Sequence, residues 1–158
     1  MHATDIDEIE FYRVLQESHA RVLLIGRMAM ILRGLPVATN DYDFWLHADD
    51  VEKLNAALAS LEHYPNCSPS DARQRGRYVL ENGEHLDVMI ARAATTQLGE
   101  TLRFEDAWLR REQIELAPGV AIAIPSLEDH IRTKQWGLRA KDIGDIQLLQ
   151  TLATERKP

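Results

Sequence analysis

Three aspartates carry the chemistry open to this sequence. Asp41 and Asp43 stand two apart in DYDFWL, and alternation along a strand sends residues at that spacing to the same face. Carboxylates so placed repel each other, so a positive group is expected between them. Asp87, in HLDVMIA, is set among Leu86, Val88, Met89 and Ile90, where an unpaired carboxylate is costly. If the two strands are neighbours, all three share one face. That donor set suits Mg2+, which takes oxygen ligands and bridges to substrate phosphates, and two such ions can clamp the attacking and leaving oxygens of a phosphoryl displacement. Taken alone, an Asp-x-Asp is more often a solvated strand edge or a turn; the apolar setting of all three favours a site.

The elements that must position these residues can be read from the pattern. Residues 4–19 form a helix opened by Thr4 and Asp7 in a capping-box-like start, with Ile6, Ile9, Tyr12 or Val14, and Leu15 as its apolar stripe. RVLLIG is a short buried strand, and from Met28 to about Arg33 the pattern turns helical until Gly34 and Pro36 stop it. Gly26 sits at this strand-to-helix turn. A glycine is commonplace there, but its missing side chain also lets a phosphate approach backbone amides. DYDFWLH resumes as a strand, and residues 48–63 form an amphipathic helix on Val51, Leu54, Leu58 and Leu61.

Residues 66–76 read as a polar loop. RYVLE and HLDVMIA then flank Asn82-Gly83, a strong hairpin signal. FEDAWLRRE is helical, and QIELAPGVAIAIP folds back around Pro118-Gly119 as a second hairpin. Ser126 caps a helix with Glu128 and Asp129 in its first turn, and KDIGDIQLLQTLA closes the chain. The order predicts an α+β, or mixed α/β, domain: a small mixed or mainly antiparallel sheet flanked by helices, with a C-terminal helical pair.

At 158 residues one domain is expected, with a core at about 20–124 and closing helices at about 126–153. The lone Cys67 allows no intramolecular disulfide. The acidic N-terminus lacks a basic region followed by an apolar run, and no apolar stretch approaches ~18 residues, so neither a signal peptide nor a membrane span is expected and the cytoplasm is the expected compartment. A formal charge of -7 disfavours broad binding to polyanions, and nothing points to DNA. Two local basic stretches remain, RQRGR at 73–77 and LRAK at 138–141.

LLIGRMAMILRGLPVATNDYDFWL followed by HLDVMIA resembles the minimal nucleotidyltransferase superfamily, with its DNA polymerase β-like fold. The shared pattern is a Gly-Gly or Gly-Ser pair at a strand-helix turn, an Asp-x-Asp further on, and a third Asp on a later strand. The C-terminal IPSLEDHIRTKQWGLRAKDIGDIQLL is similar to the closing helices of the bacterial branch that holds AbiEii-like abortive-infection toxins, matched by Lys134, Arg139, Lys141, Asp142 and Asp145. The resemblance spans roughly residues 20 to 152. It implies a Mg2+-dependent nucleotidyltransferase moving a nucleoside monophosphate from an NTP to an RNA, protein or small-molecule hydroxyl. Asp41, Asp43 and Asp87 would hold two Mg2+ ions, with Asp87 as general base. Gly26 would cradle the β and γ phosphates and Lys134 would lie against the triphosphate, with Arg139 and Lys141 as secondary cations. A toxin of this branch often has a protein antitoxin as partner.

Two positions depart from that pattern. Arg27 stands where the second small residue belongs, to reach an anion or to fill the pocket, and Val37 stands where related sequences carry Arg. Both leave open a catalytically degenerate module that binds a nucleotide or docks on a partner. An exposed apolar patch at Ile9, Phe11 and Tyr12 would favour docking.

Other conspicuous residues have plainer readings. His47, His85 and His130 are expected at the surface rather than on a metal. Trp45, Trp108 and Trp136 are expected in packing, with Trp136 near enough to Arg139 to stack on a base. RQRGR is expected as a solvated loop, its functional reading being a contact to an acceptor RNA or phosphate.

Overall fold

The computed structural model describes residues 4–156 apart from residue 84, with side chains from residue 8 on. The capping-box pair Thr4 and Asp7, and Ile6 of the apolar stripe, lie outside the described side chains. Helix α1 (Thr4–Glu17) buries Phe11, Tyr12 and Leu15, so the apolar patch that a docking role wanted exposed is core. Strand β1 (Val22–Ile25) is buried at all four positions and runs into α2 (Gly26–Leu32). Strand β2 (Tyr42–Leu46) follows, then a short 3-10 turn at Ala48–Asp50 and α3 (Val51–Ala59), which buries Val51, Leu54 and Leu58.

The expected polar loop at 66–76 is a correction. After the brief β3 (Tyr64–Pro65), residues Pro69–Arg75 form α4. Its Ser68 side chain accepts a hydrogen bond from the Asp71 amide, Pro69 occupies the first turn, and Gly76 ends it in the left-handed region. A hydroxyl cap, an early proline and a terminal glycine together are helix punctuation.

Strands β4 (Arg77–Glu81) and β5 (His85–Met89) form the Asn-Gly hairpin. The pair β6 (Ala93–Thr95) and β7 (Thr101–Arg103), which the pattern does not announce, leads into α5 (Phe104–Leu109). β8 (Glu112–Ala117) and β9 (Val120–Ile124) make the second hairpin, and α6 (Leu127–Lys134) and α7 (Ala140–Arg156) are the closing pair.

The main sheet has five strands in the order β1-β2-β5-β4-β3, with β2 and β5 parallel and the other pairs antiparallel. Alternation separates its faces. Leu24, Phe44, Leu46, Tyr78, Leu80, Leu86 and Val88 join the large core with α1 and α3. Leu23, Ile25 and Trp45 face the other way and pack with Phe104 and Ala107 of α5. At ~25 cal/mol per Å2 of apolar area, fully burying a side chain such as Leu24 contributes about 1.5–3 kcal/mol, so the two faces fix the register firmly. The closing helices attach through Met30, Leu127 and Leu149, with Val37 packed against them. Val37 thus serves this seam, a role that an arginine there could not fill.

Candidate active site

The parallel pairing of β2 with β5 sets Asp43 in register with Asp87. Both are half-buried on the face that carries Trp45 and Met89, and both line a cleft of about 570 Å3. Burial, followed by the charge of Asp87, raises the affinity of Asp43 for a proton; Asp41 adds to the rise, while Lys134 and Lys141 oppose it. The charges of these two lysines are felt at Asp43, but among the described residues no ion pair joins either to it, and Lys134 is paired with Asp145. Asp41 is exposed and sits one residue before β2, with its amide donating to Thr39 Oγ1 at 3.1 Å.

Gly26 is required where it stands. Its φ is +72°, and a Cβ there would meet Asp43 Oδ2 at 2.7 Å. Since β1 and β2 pair with Ile25 opposite Asp43, the start of α2 is pressed against the carboxylate, and only glycine allows both the backbone angle and the approach. His130 fixes this turn from behind. It is fully buried, accepts from Arg33 Nε at Nδ1 (3.3 Å), and so donates from Nε2 to the Gly26 carbonyl at 3.1 Å. Burial, then the Arg33 charge, pushes its pKa down to about 3, so the neutral ring with Nε2 protonated is the form present. The expectation of a surface histidine is overturned for His130 and for His47, which is buried and bonded to Glu105 at 2.6 Å. His85 is exposed as expected, beside Glu81.

A buried ionic network forms the other wall. Lys134 Nζ lies 2.8 Å from Asp145 and 3.7 Å from Asp142, two carboxylates on one side of α7. Arg27 binds Asp145 through Nε and Nη2 at 3.1 and 3.2 Å and donates to the Ala38 carbonyl. Arg139 Nε donates to Asp142 at 3.0 Å. Burial opposes ionisation of Asp145, yet the hydrogen bonds from Arg27 and Lys134 outweigh it and hold its carboxyl below the ordinary value. Asp142 behaves likewise through Arg139. Arg27 therefore neither fills the cleft nor faces it: the guanidinium joins α2 to α7.

Gly26, Asp43, Asp87, Lys134 and Arg139 line the cleft together with Trp136, Arg75 and Arg77. Asp41, Arg27 and Lys141 are not among its lining residues, although the charges of Asp41 and Lys141 are felt at Asp43. Trp136 packs edge-on against Trp45 at 5.1 Å while lining the cleft, and Trp108 stacks on Phe104. Sequence reasoning missed His130, because a lone histidine carries no signal of its backbone partner. Arg75 and Arg77 belong to the RQRGR stretch, for which the sequence offered a phosphate or RNA contact beside the solvated-loop reading; their place on the cleft wall was not legible, because α4 was not recognised.

Among the described residues, no three His, Cys, Asp or Glu side chains are gathered into a ready-made metal site. The register-paired Asp43 and Asp87 fit a cation that arrives with a phosphate ligand, since Mg2+ is commonly held by one or two carboxylates plus substrate oxygens.

The fold that presses a glycine turn against one aspartate and sets a second aspartate on the adjacent strand has known counterparts, and the chain has the nucleotidyltransferase fold. It is similar to a candidate nucleotidyltransferase of Thermotoga maritima (TM-score 0.59, 16% identity, covering 96% of this chain and 91% of that one). It is also similar to the antibiotic-resistance factor ANT(2'')-Ia (0.65, 16%, 98% and 88%) and to the lincosamide antibiotic adenylyltransferase LnuA in its lincomycin-bound form (0.63, 15%, 94% and 98%). No protein-family model matches the chain, and no curated protein matches it in sequence. No helix among the described residues is long and apolar enough to cross a membrane.

Proposed function

We propose that the protein is a nucleotidyltransferase that moves a nucleoside monophosphate from an NTP onto an acceptor hydroxyl. The observation that carries this reading is the register pairing of Asp43 with Asp87 on the wall of a cleft whose glycine turn abuts Asp43. The fold neighbours, which include an antibiotic adenylyltransferase, support it.

Asp43 and Asp87 would hold Mg2+, with Asp41, one residue before β2, as a further carboxylate ligand. The ion supplies charge neutralisation for the triphosphate and for the leaving pyrophosphate. Gly26 leaves room for the phosphates at the start of α2, and Lys134, with Arg139 at the rim, adds positive charge behind them. Asp87 takes the proton of the acceptor hydroxyl as its oxygen attacks the α-phosphorus; the bond from that phosphorus to the bridging oxygen breaks, and pyrophosphate leaves with the electron pair. Positioning and electrostatics account for most of such a reaction. His130 acts through Gly26, as a positioning residue.

A second reading, a nucleotide-binding module without turnover, is favoured by one observation: among the described residues the carboxylates are not gathered into a ready-made trio. Asp87→Asn separates the two. The transferase should retain nucleotide affinity and lose pyrophosphate release from α-labelled NTP by about 100-fold or more, whereas a binding module shows no release from the wild-type protein in any acceptor mixture.

The narrower role of a toxin held by an antitoxin rests on the C-terminal resemblance alone. Lys134, Asp142 and Asp145 of that pattern are bonded to one another in the buried network, and Phe11 and Tyr12 are unavailable to a partner. Growth arrest on expression, relieved by Asp43→Asn, is the result expected of a toxin.

A further inference from the structure

The strand order lays out an axis across the cleft. Gly26 follows β1, Asp43 lies on β2, Asp87 on β5 and Arg77 on β4, and these strands are successive neighbours. Arg77 pairs with Met89, two residues beyond Asp87, so its side chain emerges on the same face as the carboxylate. The phosphate cradle and the arginine thus lie on opposite sides of the aspartate pair.

Arg75 and Arg77 are both exposed and both line the cleft, and among the described residues neither makes an ion pair or a side-chain hydrogen bond. The contrast with Arg73, two residues earlier, is informative. Arg73 is occupied by Glu52 at 2.8 and 2.5 Å and by the Ala48 carbonyl, away from the cleft. Gly76, between the two cleft arginines, accepts from the Ile90 amide at 2.8 Å and bonds back to Ala72, which docks the Arg75-Gly76-Arg77 turn on the end of β5. A chain with a formal charge of -7 has ample acidic residues to pair with its arginines, and it leaves these two unpartnered on one wall. A guanidinium binds phosphate oxygens through paired donors.

On the transferase reading above, we infer that the acceptor bears a phosphate group near its reacting hydroxyl, and that Arg75 and Arg77 hold that phosphate on the side of Asp87 remote from Gly26. The phosphate takes no part in bond making. It orients the hydroxyl so that its oxygen meets the α-phosphorus and its proton meets Asp87. A phosphodiester beside a strand end and a small phosphate ester share this chemistry.

Calorimetric titration and fluorescence anisotropy test the inference with three probes: a short fluorescein-labelled single-stranded RNA with a free 3′ hydroxyl, ribose 5-phosphate, and ribose. Wild-type protein is expected to bind one or both phosphate-bearing probes and not ribose; the pair of probes distinguishes a strand end from a small ester. Arg75→Gln/Arg77→Gln should weaken that binding about tenfold or more while Mg-NTP affinity stays within about twofold, and Arg73→Gln should change neither. The inference is overturned if wild type binds no phosphate probe, if the double variant binds them as wild type does, or if the double variant loses Mg-NTP affinity instead, which would assign the arginines to the nucleotide. Wild type that binds no NTP yet binds a phosphate probe through Arg75 and Arg77 would defeat the transferase reading and leave the arginine subsite standing.

Discussion

Asp43 carries its charge at a cost to the fold. Burial, then Asp87, raises its pKa above the ordinary aspartate value of 3.8. A carboxyl whose folded pKa is raised stabilises the fold only below its unfolded pKa and loses that contribution as pH rises through the folded value, so at neutral pH Asp43 is a net burden. Asp43→Asn is therefore expected to raise Tm by a few degrees while removing Mg-NTP binding, measured by thermal melting and calorimetry. Asparagine at a position that contributed only a solvated strand edge would change neither. Gly26→Ala has the opposite sign for stability: the left-handed angle and the 2.7 Å approach to Asp43 Oδ2 should cost about 1–2 kcal/mol in urea denaturation and abolish nucleotide binding. Asp43 and Asp87 were legible as candidates because carboxylates contradict their apolar surroundings, and Gly26 because it stands at a strand-to-helix turn; the same signal named Asp41, which is exposed and outside the cleft lining. His130 was not, because its role depends on a carbonyl more than a hundred residues away.

At the scale of elements, the site depends on α6 and α7 being locked to α2. Lys134 is the centre of that lock, and its removal leaves Asp142 and Asp145 buried with only peripheral arginines. Lys134→Met should destabilise by about 3 kcal/mol, whereas Arg139→Ala, whose guanidinium is largely exposed, should cost under about 1 kcal/mol; chemical denaturation resolves the two. The pH dependence follows the opposite sign from that of Asp43. Asp142 and Asp145 have lowered folded pKa values, so their contribution is present above the ordinary 3.8 and is lost as pH falls through the folded values. Acid below pH 3.8 should therefore loosen the closing helices, and far-UV circular dichroism against pH checks this. Strand and hairpin signals at RVLLIG, DYDFWL and Asn82-Gly83 marked the sheet correctly. No local signal announces the parallel pairing of β2 with β5, because the two strands are distant in sequence and no turn chemistry encodes their partnership. α4 was missed although Ser68, Pro69 and Gly76 punctuate it, because a seven-residue helix that buries only Ala72 has no apolar period to detect.

For the whole molecule, the fold joins an acidic chain to a cleft in which lysine and arginine stand among three carboxylates, Asp43, Asp87 and Asp142. A ligand that completes that charge balance should stabilise the native state alone. Mg-NTP at about 100 times its Kd contributes about 2.7 kcal/mol, a rise in Tm of about 5–10 °C for a chain of this size, and chelation of Mg2+ should abolish the rise. The most direct test of the Asp43–Asp87 cleft as a Mg-NTP site, on which transfer depends, is calorimetric titration of each NTP in Mg2+ into wild-type protein, with Asp41→Asn/Asp43→Asn protein alongside. Saturable, Mg2+-dependent binding that the double variant loses is the expected result. Absence of binding by any NTP, or binding that the double variant retains, would contradict it.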